Sequence, residues 1–211
     1  MKKTKDSQRF SFPDDEKKLP WLPLLLDAYE VIDKGIVDAL KEHEKKQKAK
    51  LACQKGCDVC CRAQNDIPIY PLEMVGIYWY AIEKIGQLLR ETLKKQLLSH
   101  TKGPQCPFLI EHACAVHPVR PAACRQFNVF NKPCAEGEDP YYTRRQDVLT
   151  PKRKYRDRAF FIMLPFYGIT DDAARSSAIK SGQLDSQAKP MRICSWRHLA
   201  QRMDDFDTNQ K

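Results

Sequence analysis

The chain has 211 residues, 42% of them hydrophobic and 30% charged, with a net charge of +9. That length suits one generous domain with a real core, and no window approaches the ~18 apolar residues a membrane span requires. The basic start MKKTKDSQRF has no apolar stretch behind it, so no export signal is predicted and the chain is expected in the cytoplasm.

Residues 1–19 are polar and read as a flexible or surface-draped arm, and residues 20–211 as a single domain with a cysteine-cluster core over 51–140. Trp21, Leu25, Tyr29, Ile32, Ile36 and Leu40 fall at intervals of three and four, which predicts a helix from Trp21 to about Lys48. Its tail, KEHEKKQKAK, is polar all round and is expected to project beyond the core. Residues 51–66 form a cysteine knuckle in which Gly56 permits a tight backbone path. Pro71 suits the first turn of a helix that Gly86 ends or bends, and a second helix runs from about Gln87 to His100. The two are expected as a hairpin that returns one cysteine stretch to the other.

Prolines 104, 107, 118, 121, 133 and 140 break regular structure through the second cysteine region. Segment 141–158 is basic and reads as a surface excursion, and Ala159–Tyr167 as either a strand or a buried turn. A short helix capped by Thr170 and a last helix, about Met191 to Asp205, complete the chain. The expected fold class is mainly α, with helices framing an irregular, proline-rich, metal-stabilised cysteine lobe.

The chemistry lies in the cysteines. Cys53, Cys57, Cys60 and Cys61 form one run, and Cys106, Cys114, Cys124 and Cys134 a second. Short C-x3-C and C-x2-C intervals let one loop aim two sulfurs at one metal, and remote cysteines complete the set. In a reducing compartment such thiols hold metal rather than form disulfides. Adjacent Cys60 and Cys61 share one small ion awkwardly, so they are expected to reach different irons of a cluster or two separate sites. The sequence leaves open whether the eight serve two four-ligand sites or one larger site. Cys194 is expected as a core residue. His112 and His117 flank Cys114 but are not needed as ligands where eight sulfurs fill two tetrahedra.

Arg120 and Arg125 bracket Cys124 and are candidates for contact with the bound cofactor, since cations near thiols favour the ligating thiolate. Two four-thiolate sites would lower the net charge from +9 to about +5. A nucleic-acid partner is therefore not expected, nor a membrane; the partner is an unidentified redox protein or other protein. GxGxxG, P-loop, HExxH and GxSxG patterns are all missing, so any catalysis would run through the metal centre.

CDVCCR from Cys57, QCPFL from Gln105 and CAVHPVRPAACRQF from Cys114 resemble the zinc- or iron-chelating cysteine-cluster family named for its CxxCxxCC signature. With Cys53 and Cys134 they give the eight cysteines the family pattern implies, although the first interval is three residues rather than two. The family includes flagellin lysine N-methylases, which are longer, and small members called iron–sulfur oxidoreductases, to which this chain is similar. The resemblance implies an iron–sulfur cluster (or zinc), with an electron-transfer or cluster-dependent redox role. A structural zinc protein that binds a partner is the alternative. A lysine methylase-like enzyme follows from the family alone, and no segment is assignable to S-adenosylmethionine.

Overall fold

The computed structural model describes residues 9–64, 66–101 and 105–209, and over these the chain is mainly helical. The helices are α1 (Pro13–Lys18), α2 (Trp21–Gln47), α3 (Val59–Ala63), α4 (Pro71–Glu83), α5 (Gln87–Ser99), α6 (Ala122–Gln126), α7 (Pro140–Thr143), α8 (Arg153–Met163), α9 (Asp172–Lys180) and α10 (Arg197–Asn209). Strands β1 (Pro68–Ile69), β2 (Leu109–Ile110), β3 (Ala113–Cys114) and β4 (Lys189–Pro190) pair antiparallel, β1 with β4 and β2 with β3.

Within the segment expected as an arm, residues 9–18 are docked on the helices. Arg9 pairs with Glu16 at 2.8 Å and Asp27 at 2.6 Å, Lys84 with Asp15 at 2.7 Å, and Phe12 meets Trp79 edge-on. The first eight residues of that expected arm lie outside the described residues. α2 follows its predicted stripe, with Leu22, Leu25, Leu26, Tyr29 and Ile32 buried, and Lys48 ends it at φ 51°. Its polar tail does not project past the core as expected. Ala39 and Ala49 pack with Phe130 and Leu149 in a second apolar cluster, and His43 stacks on Phe130 at 4.5 Å. Charge on the outward positions of the tail conceals the few that face inward.

α5 starts just after Gly86, and α10 packs against both α4 and α5. Buried Arg90 donates to the last carbonyls of α4, at Ala81 and Ile82, and pairs with Asp207 at 2.7 Å. A helix end that would otherwise leave unmet acceptors is thereby satisfied.

Residues 153–163 differ from the sequence expectation, being one helix that crosses from the segment read as a surface excursion into the run read as either a strand or a buried turn. Ala159, Phe160 and Met163 face the core on a turn and a half of α8, and five charged residues in its first six mask that pattern. α8 packs along α2 where Gly35 admits Tyr155; a Cβ at Gly35 would lie 2.6 Å from the Tyr155 ring. Pro165 then ends the α-helix in a 3-10 turn, Leu164–Tyr167. The last helix begins later than expected, at Arg197, because Met191–Ile193 forms a 3-10 turn that Trp196 pins by donating from Nε1 to Met191 O at 2.8 Å. Trp196, Leu199 and Met203 are buried, whereas Ile193 is 53% exposed. Cys194 lies before the helix rather than on its apolar face, half-buried and directed at Pro190 O.

Glu73, fully buried in α4, joins the helical frame to the cysteine region. It accepts from Tyr70 N at 3.0 Å and from Ala122 N, at the start of α6, at 2.7 Å. Burial pushes its carboxyl up to about 7, against the pull of those two N–H groups and Arg125. Because the folded value is raised, the stability it contributes is full below the unfolded carboxylate range and is lost as pH rises through about 7. The margin of wild type over Glu73→Gln in urea unfolding is therefore expected to shrink by about 3 kcal/mol between pH 4 and pH 8. A margin independent of pH would show that folding does not raise this carboxyl above its ordinary value.

Candidate metal centre

Cross-chain hydrogen bonds set the two cysteine stretches against each other. Leu51 bridges Phe130, with Ala52 N donating to Val129 O at 2.8 Å and Asn131 N to Lys50 O at 2.7 Å. Val129 N then donates to Cys53 Sγ at 3.3 Å. Gly56, at φ +87°, makes the turn that presents exposed Cys57, a backbone path that a side chain would strain. α3 carries Cys60 and Cys61, and Cys106 N donates to Cys61 O at 2.7 Å.

β2 and β3 form a two-residue hairpin whose loop residues, Glu111 and His112, both take positive φ, 46° and 63°. That conformation is costly without glycine. His112 Nδ1 hydrogen-bonds buried Asp58 Oδ2 at 2.8 Å, and Asp58 also pairs with Arg62 at 3.0 Å. The hairpin that places Cys114 is thus tied to the turn that places Cys60. α6 places Cys124, and Cys134 precedes a turn in which Glu138 accepts from Ala135 N and pairs with Arg144 at 2.8 Å.

The thiols interact as two overlapping groups. Cys134 feels Cys53 and Cys57, and Cys53 feels Cys57 and Cys60. Cys61 is hydrogen-bonded to Cys106 and Cys60 and feels Cys114, while Cys124 feels Cys114, Cys61 and Cys60. The thiol of Cys60 is raised well above its ordinary value by the hydrogen bond to Cys61 and by burial. Cys61 rises to about 12 chiefly through Cys106, and Cys134 to about 11 through burial. Burial also pushes Cys53, Cys114 and Cys124 up.

Arg120 and Arg125 both draw the Cys114 thiol down against that burial. Arg125 is also a strut: buried, it pairs with Asp33 at 2.7 Å, donates to Arg120 O at 3.0 Å, and lies 4.0 Å over the Tyr29 ring. Arg120 meets the His117 ring at 2.8 Å, and burial with the two arginines pushes His117 down to about 4. Sequence reasoning missed Asp58, which ties the loops, and Arg192, whose Nη2 donates to Cys61 O at 3.2 Å from outside the cysteine region. No spacing pattern marks either residue.

All nine cysteines are free thiols. Among the described residues no three His, Cys, Asp or Glu side chains stand in a ready metal-holding arrangement. The donor chemistry nevertheless fits a thiophilic centre, since eight soft sulfurs interact across two loops without a disulfide.

Residues 52–150 match the CxxCxxCC family, described as "Putative zinc- or iron-chelating domain". The matched segment contains all eight clustered cysteines and excludes Cys194, and it supports metal binding by this part of the chain. No curated protein and no solved structure matches the chain. No helix among the described residues is long and apolar enough to cross a membrane.

Metal-free protein treated with limiting iodoacetamide at pH 7.5 should be alkylated first at exposed Cys57. Cys60 and Cys124, whose thiols are held protonated, should react roughly tenfold or more slowly. Peptide mass mapping that finds Cys124 among the first sites would contradict this placement.

Proposed function

We propose that the eight thiolates hold metal as two adjoining four-cysteine sites, that the bound group is an iron–sulfur cluster, and that its role is electron transfer. Cys53, Cys57, Cys60 and Cys134 would hold one group, and Cys61, Cys106, Cys114 and Cys124 the other. The observation that carries this reading is the position of Cys60 and Cys61, next to each other in sequence and at the junction of the two thiol groups. Adjacent residues serve separate centres more easily than one ion. A cluster would provide one-electron chemistry, while the chain's arginines offset its negative charge.

Structural zinc is the second reading. The lobe from Cys106 to Cys134 has only one pair of two-residue strands and short helical turns, and loop-rich segments of that kind gain stability from tetrahedral thiolate sites.

Protein purified without oxygen should be brown and contain several iron and sulfide per chain. A colourless protein with one or two zinc ions would replace the first reading with the second. Cys124→Ser and Cys57→Ser should each remove about half of the bound metal, because each disables one of two four-ligand sites. In loaded protein the eight ligands should resist alkylation while Cys194 still reacts. Full metal content in both serine variants would show that the ligand set is wrong.

A further inference from the structure

Buried charge marks a contributor to this centre from beyond the matched domain. Arg192 is 3% exposed, and a guanidinium remains protonated in proteins, so it is a fixed positive charge withdrawn from water. Its backbone is pinned on several sides. β4 pairs with β1, Met191 N donates to Ile67 O at 2.8 Å, and Trp196 Nε1 donates back to Met191 O. Trp196 in turn packs edge-on against Phe108 at 4.7 Å, between Cys106 and the β2–β3 hairpin.

The side chain points into the cysteine region. Arg192 Nη2 donates to Cys61 O, the same carbonyl that accepts from Cys106 N. Burial lowers its pKa, and the groups that raise it again are Cys106, Cys61, Asp66 and Cys60. Three of those four are proposed ligands. A lysine could not replace this fork for hydrogen bonding, but it would carry the same charge.

We infer that Arg192 is a positioning residue of the metal centre, holding its buried charge against the Cys60, Cys61 and Cys106 sulfurs so that the anionic metal–thiolate group is compensated from the C-terminal segment. The inference rests on the proposed thiolate centre and adds a residue outside 52–150 to it. A buried cation is costly alone and favourable beside bound thiolates, so its effect falls on metal affinity rather than on ligand identity. Cys61 and Cys106 belong to one proposed site and Cys60, the weakest of the three influences, to the other, so the effect should fall mainly on the Cys61–Cys106–Cys114–Cys124 site.

The test is titration of the metal-free full chain with cobalt(II) under anaerobic conditions. Thiolate-to-cobalt absorption counts the sites, and chelator competition gives their affinities. Arg192→Gln should weaken the Cys61–Cys106–Cys114–Cys124 site by about 10–100-fold, change the other site much less, and leave the maximal cobalt content unchanged. Arg192→Lys should restore most of that loss, which a purely structural role for the guanidinium would not do. If Arg192→Gln fails to fold by circular dichroism, the lysine variant decides alone: tight binding supports the inference, and weak binding by a folded variant overturns it. Wild-type affinity in a folded Arg192→Gln also overturns it. A wild-type chain that forms no cobalt–thiolate band would instead remove the underlying thiolate reading, a separate and recognisable failure.

Discussion

The meeting of the two cysteine stretches is the constraint on which the rest depends, and it is made by main-chain groups more than by side chains. The Cys61 carbonyl accepts from Cys106 N and from Arg192, and residues 50–52 bond across to 129–131. A loop-rich lobe has no long ladders to satisfy its peptide groups, and buried ones left unpaired are costly. These cross-loop bonds meet that need and fix the approach of the sulfurs in the same stroke. α4 and α5 lie between the stretches in sequence, so their packing against α10 decides whether the two loops return to each other.

Electrostatics then explains why so basic a chain surrounds so many thiols. Burial and mutual proximity hold most of the clustered sulfurs in the protonated form, which opposes metal uptake. Arg120 and Arg125 work against that at Cys114, and Arg192 sits beside Cys61 and Cys106. The site is therefore balanced between desolvation, which favours thiol, and buried cations, which favour thiolate. The +9 net charge is partly an internal matter of that balance.

Much of this was legible before any coordinates. The stripe from Trp21 onward, Pro71 and Gly86 as helix boundaries, and the proline-broken second cysteine region all carry strong local signals. Where the reading failed, charge or context was the cause. α8 opens with three arginines, a lysine and an aspartate in its first six residues that conceal its inward face, and the polar tail of α2 is held by Phe130 and Leu149, far away in sequence. The grouping of the sulfurs was not legible, because it depends on where α6 and the β2–β3 hairpin carry Cys124 and Cys114. Arg192 was invisible for a simpler reason: one arginine near a lone cysteine has no pattern, and only its burial beside Cys61 gives it meaning.

The Trp196–Phe108 contact has a temporal side. Residues 191–196, which cover the cysteine lobe, are made after Cys134 by an interval of about 60 residues. At ordinary elongation rates that is several seconds of synthesis during which the last-made cover is missing. Until then the side of the lobe at Phe108 lacks its Trp196 contact. Closure by the later segment covers the Phe108 and Cys61 side of the lobe and leaves Cys57 exposed.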